Sequence, residues 1–359
     1  MQQINSLLKS NKNIKLFMGF DNYDENEEYI THYIDLKNYI QEKDNPCKYY
    51  KATFYPKPAS YIDVFAKDEG CKINFINCGQ GDACLIENMG KYVLVDFGGK
   101  VDSVKKFLDK KIKSKKIDYA ICTHFHADHM ADFSNITSDY KIKNLAVVKN
   151  INSDMGITTK NEISKFAKNC NASNLTMLEI GECIEHHSHN FIVGEMEFEF
   201  LGPTNDFYNL NDNSIVLKLN YKDNSILFTG DISFDAENSL MEWCKNRKID
   251  LKSKVLKVAH HGSKYSTSKE FLETTKPENS VISCGETNKY NHPDFETIER
   301  LNEYCFDTSY TYNSSSVDFY ISPDGEFSQK QEKDNSLADL LSSPINLQDK
   351  INETRLPVC

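Results

Sequence analysis

What the chain lacks narrows the field first. No run approaches the roughly 18 consecutive apolar residues of a membrane-spanning helix. The start, Met-Gln-Gln-Ile-Asn-Ser, has neither the apolar core nor the small-residue cleavage site of a secretory leader. The 11 cysteines include no Cys-x-x-Cys pair, are odd in number, and several lie inside apolar runs (Cys84, Cys122, Cys284). They read as reduced core thiols, not as a disulfide framework. Positive charge is scarce too: 42 Lys and Arg face 53 Asp and Glu, for a net charge of −11. Such a chain is not tuned for strong non-specific binding of nucleic acid, although a local basic groove is compatible with it. Internal repeats are absent. The expectation is a soluble cytoplasmic protein without a membrane partner.

What is present is enough chain, 359 residues, for two average domains or one large α/β unit with extensions. Residues 1–70 are polar and irregular, with an acidic run between Asp21 and Glu28 and prolines at Pro56 and Pro58; they read as an N-terminal extension that could dock a protein partner. From Lys72 the pattern changes. Residues 72–77, 83–87 and 92–96 read as short strands between Gly-bearing turns, 101–112 as a helix and 117–122 as a strand. Further strands are expected near 145–149, 176–180, 196–201, 215–219, 225–228, 255–258, 280–283 and 317–321, and helices over 159–169, 234–247, 268–275 and 294–304. Alternating strands and helices argue two sheets covered by helices. The body is bounded at 71–325, followed by a polar tail, 326–359, with one short helix at 337–341.

The chemistry is concentrated after the strand ending Ile121-Cys122-Thr123. There His124-Phe125-His126-Ala127-Asp128-His129 puts three imidazoles and a carboxylate on one tight turn. His124 and His126 leave the turn on the same side and can share one cation; Asp128 and His129 can reach a second. Nitrogen and oxygen donors of this kind suit Zn²⁺, Mn²⁺ or Fe²⁺. Two later clusters complete the set. Ile226-Leu227-Phe228 runs into Thr229-Gly230-Asp231, so a carboxylate emerges at a strand tip where it can bridge two cations. Alone, a Gly-Asp after a strand is an ordinary turn. Val255 to Ala259 then leads into His260-His261-Gly262-Ser263. Strand-end ligands are rigidly held, as a two-metal site requires to keep its ions roughly 3.5–4 Å apart.

In that order, and with Asp96 at the tip of an earlier strand, these clusters resemble the metallo-β-lactamase superfamily over roughly residues 72–321. The resemblance implies an α/β protein with the four-layer αββα metallo-β-lactamase fold and a dinuclear site at the sheet edges. More narrowly, Asn77-Cys78-Gly79-Gln80-Gly81-Asp82-Ala83, Val95-Asp96-Phe97-Gly98 and Asn211-Asp212-Asn213-Ser214-Ile215-Val216-Leu217 are similar to the hydrolase domain of ComEC-type DNA-internalisation proteins. So are Leu256-Lys257-Val258-Ala259-His260-His261-Gly262-Ser263 and Gly285-Glu286-Thr287-Asn288-Lys289-Tyr290-Asn291-His292-Pro293. The polytopic channel and oligonucleotide-binding region of those uptake proteins have no counterpart here.

The resemblance implies two divalent ions, Zn or Mn, with His124, His126 and Asp231 on one and Asp128, His129, Asp231 and His260 on the other. Asp96 would orient a ligand imidazole. Asp82 and Ser263 would stand behind the ligands or face substrate. His260 is preferred to His261 because it directly follows the strand; His261 is then left to bind substrate or orient a water. Many members place a further His just before the strand that precedes Gly-Asp, but residues 210–214 contain none. An amide oxygen of Asn211 or Asn213, or a water, is expected there, favouring Mn²⁺ or loosely held Zn²⁺.

The expected function is a metal-dependent hydrolase, foremost a phosphodiesterase or nuclease that cleaves DNA or RNA with a hydroxide generated between two cations. Asp128 is expected to orient that hydroxide and take its proton. His292, Lys264 and His261, in that order, are the candidates to assist the leaving oxygen. His292 precedes Pro293 at a predicted helix start, where phosphate is also attracted. Two alternatives stand: a hydrolase of a small substrate (phosphorylcholine-like ester, cyclic nucleotide, lactone or thioester), and a non-catalytic partner subunit that keeps the fold. His186-His187-x-His189 reads as a polar loop, and the lysines between 105 and 116 as a solvated helix face and loop.

Overall fold

The computed structural model describes residues 17–23, 29–35, 68–148, 176–180 and 190–331. The chain divides into two units, Met1–Glu69 and Gly70–Cys359. In the first, β1 (Phe17–Tyr23) and β2 (Tyr29–Asp35) form an antiparallel hairpin in unbroken register from Phe17↔Asp35 to Tyr23↔Tyr29. A stretch whose polar composition marks it as irregular is therefore partly sheet. The aromatic and β-branched residues of the two strands, Phe17, Phe20, Tyr29, Ile30, Thr31 and Tyr33 among them, suit that conformation.

The second unit begins with β3 (Cys71–Ile76), β4 (Cys84–Asn88) and β5 (Lys91–Val95), followed by α1 (Ser103–Lys111) and β6 (Lys116–Cys122). Two short helices, α2 (Ala127–Met130) and α3 (Phe133–Asp139), lead to β7 (Lys141–Val148) and β8 (Thr176–Ile180). Then come β9 (Phe191–Val193), β10 (Met196–Gly202), β11 (Val216–Tyr221), β12 (Asn224–Phe228), α4 (Phe234–Arg247), β13 (Val255–Lys257) and α5 (Lys269–Thr275). The last elements are β14 (Asn279–Ile282), α6 (Phe295–Tyr304), β15 (Asp307–Tyr310), β16 (Ser316–Ile321) and β17 (Phe327–Gln331).

One sheet runs β17-β16-β3-β4-β5-β6-β7-β8 and the other β15-β14-β13-β12-β11-β10-β9. Both follow one plan. Each has an antiparallel portion, and pairing becomes parallel from β5 to β8 and from β12 to β15. Parallel neighbours cannot be joined by hairpins, so helices α1, α4, α5 and α6 carry the crossovers. The sheets meet face to face. Phe75 of β3 and Phe228 of β12 have ring centroids 5.7 Å apart, and Tyr119 of β6 stacks on Phe191 of β9 at 3.7 Å. Alternation along a strand divides its residues between two cores: Val255 belongs to the inter-sheet cluster, whereas Leu256 packs with Leu240, Phe271, Leu272 and Leu301 of the helices. The result is the αββα arrangement that the resemblance implies. Each large side chain sealed in this way contributes about 1.5–3 kcal/mol.

The sequence misses α2, whose residues read as part of a tight turn, the Ser-, Asn- and Thr-containing α3, and the polar strand β15. α3 forms because Phe133 and Ile136, one helical turn apart, are both buried. The strand β17 pairs with β16 from Ile321↔Phe327 to Val317↔Gln331, within residues expected to be tail. The predicted helices 159–169 and 337–341 and the His186-His187-x-His189 loop lie outside the described residues. None of the seven cysteines among the described residues is in a disulfide, and six of them are buried. No helix among the described residues is long and apolar enough to cross a membrane.

A buried carboxyl joins the helical layer to the loop after β13. Glu237 of α4 is fully enclosed and accepts backbone N–H groups from Thr267 and, at 2.9 Å, from Ser268, the residue that caps α5. Burial pushes its pKa from 4.5 up to about 7. The folded protein therefore keeps this proton where the unfolded chain has released it, so stability is fully present below the unfolded value and falls as pH rises toward 7. The loss amounts to at most about 3 kcal/mol. Glu237→Gln abolishes that slope. Urea unfolding at pH 5 and pH 7.5 is expected to show wild type losing more stability over the interval than the variant; equal losses would place the slope elsewhere.

Candidate metal centre

The functional side chains leave the carboxyl ends of the parallel strands, the edge at which open α/β sheets bind ligands. Asp96 follows β5 and accepts both the Thr123 N–H (2.7 Å) and the Thr123 hydroxyl (2.8 Å). His124 follows β6, and α2 carries Asp128 and His129. The turn before β4 must come very close to α2: a Cβ on Gly81 would lie 2.2 Å from the Asp128 carbonyl oxygen, and the Asp82 N–H donates to that same oxygen at 3.1 Å. Asp231 follows β12 through Gly230, which has φ +53 and whose Cβ would lie 2.6 Å from the Cβ of Ser214. Past β13, His260 (φ 48) and His261 (φ 55) are two consecutive left-handed residues.

Asp231 Oδ2 is the focus. It lies 3.8 Å from His124 Nε2, 3.3 Å from His129 Nε2 and 3.4 Å from His261 Nε2. Asp128 Oδ2 is 3.4 Å from the same His261 nitrogen, and His126 Nδ1 is 3.1 Å from His124 Nε2. The opposite nitrogen of each inner ring is engaged elsewhere. His129 Nδ1 is 2.9 Å from Asp96 Oδ2, His261 Nδ1 donates to the Ser283 carbonyl at 2.8 Å, and His124 Nδ1 lies 3.3 Å from the Ser214 hydroxyl. Outer partners of this kind fix ring orientation and leave Nε2 free for an ion.

Charge in this enclosure is strongly perturbed. Burial and the neighbouring His129 push the His124 pKa far down. Burial opposes protonation of His129, yet Asp231 and Asp96 raise it well above the ordinary value; Asp231 and Asp82 likewise lift His261 to about 10 against burial. Burial would raise Asp231, but His261 and His129 hold it well below the usual carboxylate range. Among the described residues, Gln80 Nε2, Asp82 Oδ1, His129 Nε2, Asn211 Oδ1, Asp231 Oδ1, His261 Nε2 and His292 Nδ1 are buried without a hydrogen-bond partner. Buried polar atoms rarely go unsatisfied, and two unpartnered imidazole nitrogens, His129 Nε2 and His261 Nε2, beside one carboxylate oxygen call for a ligand from outside the chain. One donor atom from each of His124, His129 and Asp231, and from each of Asp128, His129 and His261, falls within 4.8 Å of the others. This donor set fits divalent cations.

The structure rearranges part of the expected set. His261, not His260, enters the cluster: the strand ends at Lys257, so His260 does not directly follow it, and His260 and His261 are both left-handed, which turns the second ring inward. His260 instead sits on the rim, 5.7 Å from the His292 ring and 3.5 Å from the Asn211 amide nitrogen. Asn211 lies beside His126 and His260, whereas Asn213 is consumed inside its own loop by Phe207 and Asn209. Ser263 is buried, with its hydroxyl accepting the Tyr265 N–H and its carbonyl accepting the Thr297 hydroxyl. The Lys264 ammonium lies out over the Tyr265 ring. His292 is held on the rim by Asn288, which accepts its N–H at 3.0 Å, and burial lowers its pKa.

Sequence reasoning misses Ser214, which stands beside His124 in the segment without histidine and accepts the Asp231 N–H at 3.1 Å. It also misses Lys257, whose signal is a charge inside an apolar run. Gln80, whose Oε1 accepts the Gly285 N–H at 3.2 Å, carries no such signal.

A sequence profile of the Metallo-beta-lactamase superfamily matches residues 76–286. The chain belongs to that superfamily. Within it, the chain is 26% identical over 282 residues to ComE operon protein 3 of Bacillus subtilis, covering 72% of this chain and 34% of that protein. It is 28% identical over 239 residues to Recombination protein 2 of Haemophilus influenzae, covering 65% of this chain and 26% of that one. The chain thus spans about a third or less of the length of these relatives, and the likeness to ComEC-type hydrolase domains holds. Among solved structures, the metallo-β-lactamase-fold protein YhfI of Bacillus subtilis aligns with a TM-score of 0.46 at 12% identity, covering 73% of this chain and 100% of that chain.

The reversal of the two histidines is directly testable. In calorimetric titration of metal-stripped protein with Mn²⁺ or Zn²⁺, His261→Ala is expected to weaken binding by at least about tenfold, and His260→Ala by less than about threefold. The opposite ranking would restore His260 as the ligand.

Proposed function

We propose that the protein is a phosphodiesterase acting on DNA or RNA, with two divalent ions, Mn²⁺ or Zn²⁺, held by His124, His126, Asp128, His129, Asp231 and His261. The observation that carries the proposal is the convergence of three imidazole Nε2 atoms on Asp231 Oδ2 at the strand ends, one of them, His261 Nε2, also 3.4 Å from Asp128 Oδ2. The similarity to a relative named for recombination supports a nucleic-acid substrate.

Divalent ions bound there would lower the pKa of a water and offset charge on a phosphodiester. The chain's own groups supply the rest. Burial works against ionisation of Asp128, but His261 and His129 hold its carboxyl well below the ordinary range, so it is a carboxylate at neutral pH and can accept a hydrogen bond from the attacking water. His292, neutral at pH 7, carries one ring N–H toward a leaving oxygen, and its turn keeps that ring stacked on Tyr290 at 5.8 Å. The same turn bears Lys289, which feels the charge of Asp128 and packs over Tyr290. A cation and an exposed aromatic face beside the opening suit a phosphate and its base, despite the net acidity of the chain.

The test is cleavage of linear and circular DNA, RNA and bis-p-nitrophenyl phosphate by metal-stripped protein given Mn²⁺, Zn²⁺ or Mg²⁺. Polymer cleavage is expected, falling by at least about 100-fold in His126→Ala and Asp231→Ala. Turnover of the small diester alone would move the reading to a small-molecule hydrolase. Tight metal binding without turnover of any substrate would favour a non-catalytic subunit.

A further inference from the structure

Lys257 closes β13, in register with Phe228 of β12, and is only 3% exposed. A lysine is seldom this buried unless its charge is matched. Its ammonium donates to the Gly230 carbonyl at 3.1 Å, forms a close ion pair with Asp82 Oδ2, and lies 3.7 Å from Asp231 Oδ1. The two oxygens of Asp231 therefore face different partners: Oδ2 meets the three imidazoles, and Oδ1 meets the lysine. Asp82 is similarly divided. Its donor atoms are near enough to Asp231 and His261, and to Asp96 and His129, to form ligand groups of their own, yet Lys257 is already on it.

We infer that Lys257 is a positioning residue that decides which carboxylate oxygens a cation can meet. The inference rests on the reading of this cluster as a divalent-metal site. The lysine occupies the inner end of the acidic cluster as a fixed cation, holds Asp82 back as its counter-ion, and turns Asp231 so that a single oxygen faces the histidine-lined end. The site thus has an inner end closed by an ammonium and an outer end open to divalent ions. The sign of the effect distinguishes this role from simple electrostatics. Removing a positive charge beside a cation site should, by Coulomb's law alone, tighten metal binding. Loss of a positioning group should weaken it, because Asp231 can then rotate and Asp82 competes.

The experiment is calorimetric titration of Mn²⁺ into metal-stripped wild type, Lys257→Met, Asp82→Asn and the double variant, with thermal unfolding of each. Lys257→Met is expected to bind Mn²⁺ at least about tenfold more weakly than wild type, the scale on which outer partners of metal ligands act. The double variant removes a matched pair of charges, so it should regain the thermal stability that Lys257→Met loses while still binding weakly. Asp82→Asn keeps the lysine beside Asp231 and should weaken binding by no more than about threefold. Wild-type affinity in the double variant would reduce Lys257 to a counter-ion for Asp82 and overturn the inference, as would equal or tighter binding by Lys257→Met. If neither lysine variant folds, Asp82→Asn decides: a loss of tenfold or more makes Asp82 a ligand and overturns the division of roles, and a small loss supports it. Failure of wild type itself to bind Mn²⁺ or Zn²⁺ would instead remove the metal-site reading on which the inference stands.

Discussion

One carboxylate oxygen surrounded by three buried imidazoles is the constraint on which the second unit depends. His124 and His129 come from the sheet that contains β6, and Asp231 and His261 from the sheet that contains β12 and β13. These rings meet only if the two sheets are stacked with the carboxyl ends of their parallel strands at one edge. The Ile215 N–H, which donates to the Thr123 carbonyl at 2.9 Å, ties the backbones of the two sheets at the same point. The shared plan of both sheets, antiparallel first and parallel afterwards, brings turns instead of hairpin ends to that edge.

Such an enclosure would be unstable without compensation, since isolated charges are costly to bury. The compensation is built in layers. Asp96 is satisfied by Thr123 and His129, Asp82 by Lys257, and His261 by the Ser283 carbonyl. His129 Nε2 and His261 Nε2, which remain unsatisfied, both face Asp231 Oδ2. Rigidity follows from the same contacts, because each ring that faces the centre is braced from behind by an element of its own sheet or of the opposite one.

Legibility in the sequence follows the locality of the interaction. The cluster from His124 to His129 is readable because one turn holds several donors, and Asp231 because a strand tip fixes its direction. The choice between His260 and His261 is not readable in this way: it depends on two left-handed backbone residues, and neither is a glycine that would announce the turn. Asn211 and Asn213 have the same chemistry and differ only in which way their loop turns them. Ser214 carries no signal, because a lone serine does not announce that it accepts the Asp231 N–H and stands beside the His124 ring. Lys257 does carry one, a lysine within Val255-Leu256-Lys257-Val258-Ala259 that no surface could solvate if the strand is central. The hairpin at Phe17–Tyr23 and Tyr29–Asp35 was hidden by the polar residues around it.

The seam between the sheets has a thermodynamic consequence. Because the donors are divided between the two halves of the αββα stack, closing the halves and assembling the donors are one event, and a ligand that binds only the assembled set stabilises the closed stack by mass action. The edge where charge is packed most densely is then also where the cohesion of the fold varies with its surroundings. Elsewhere between the same sheets, Tyr119 against Phe191 relies on apolar contact that free-ion concentration does not alter.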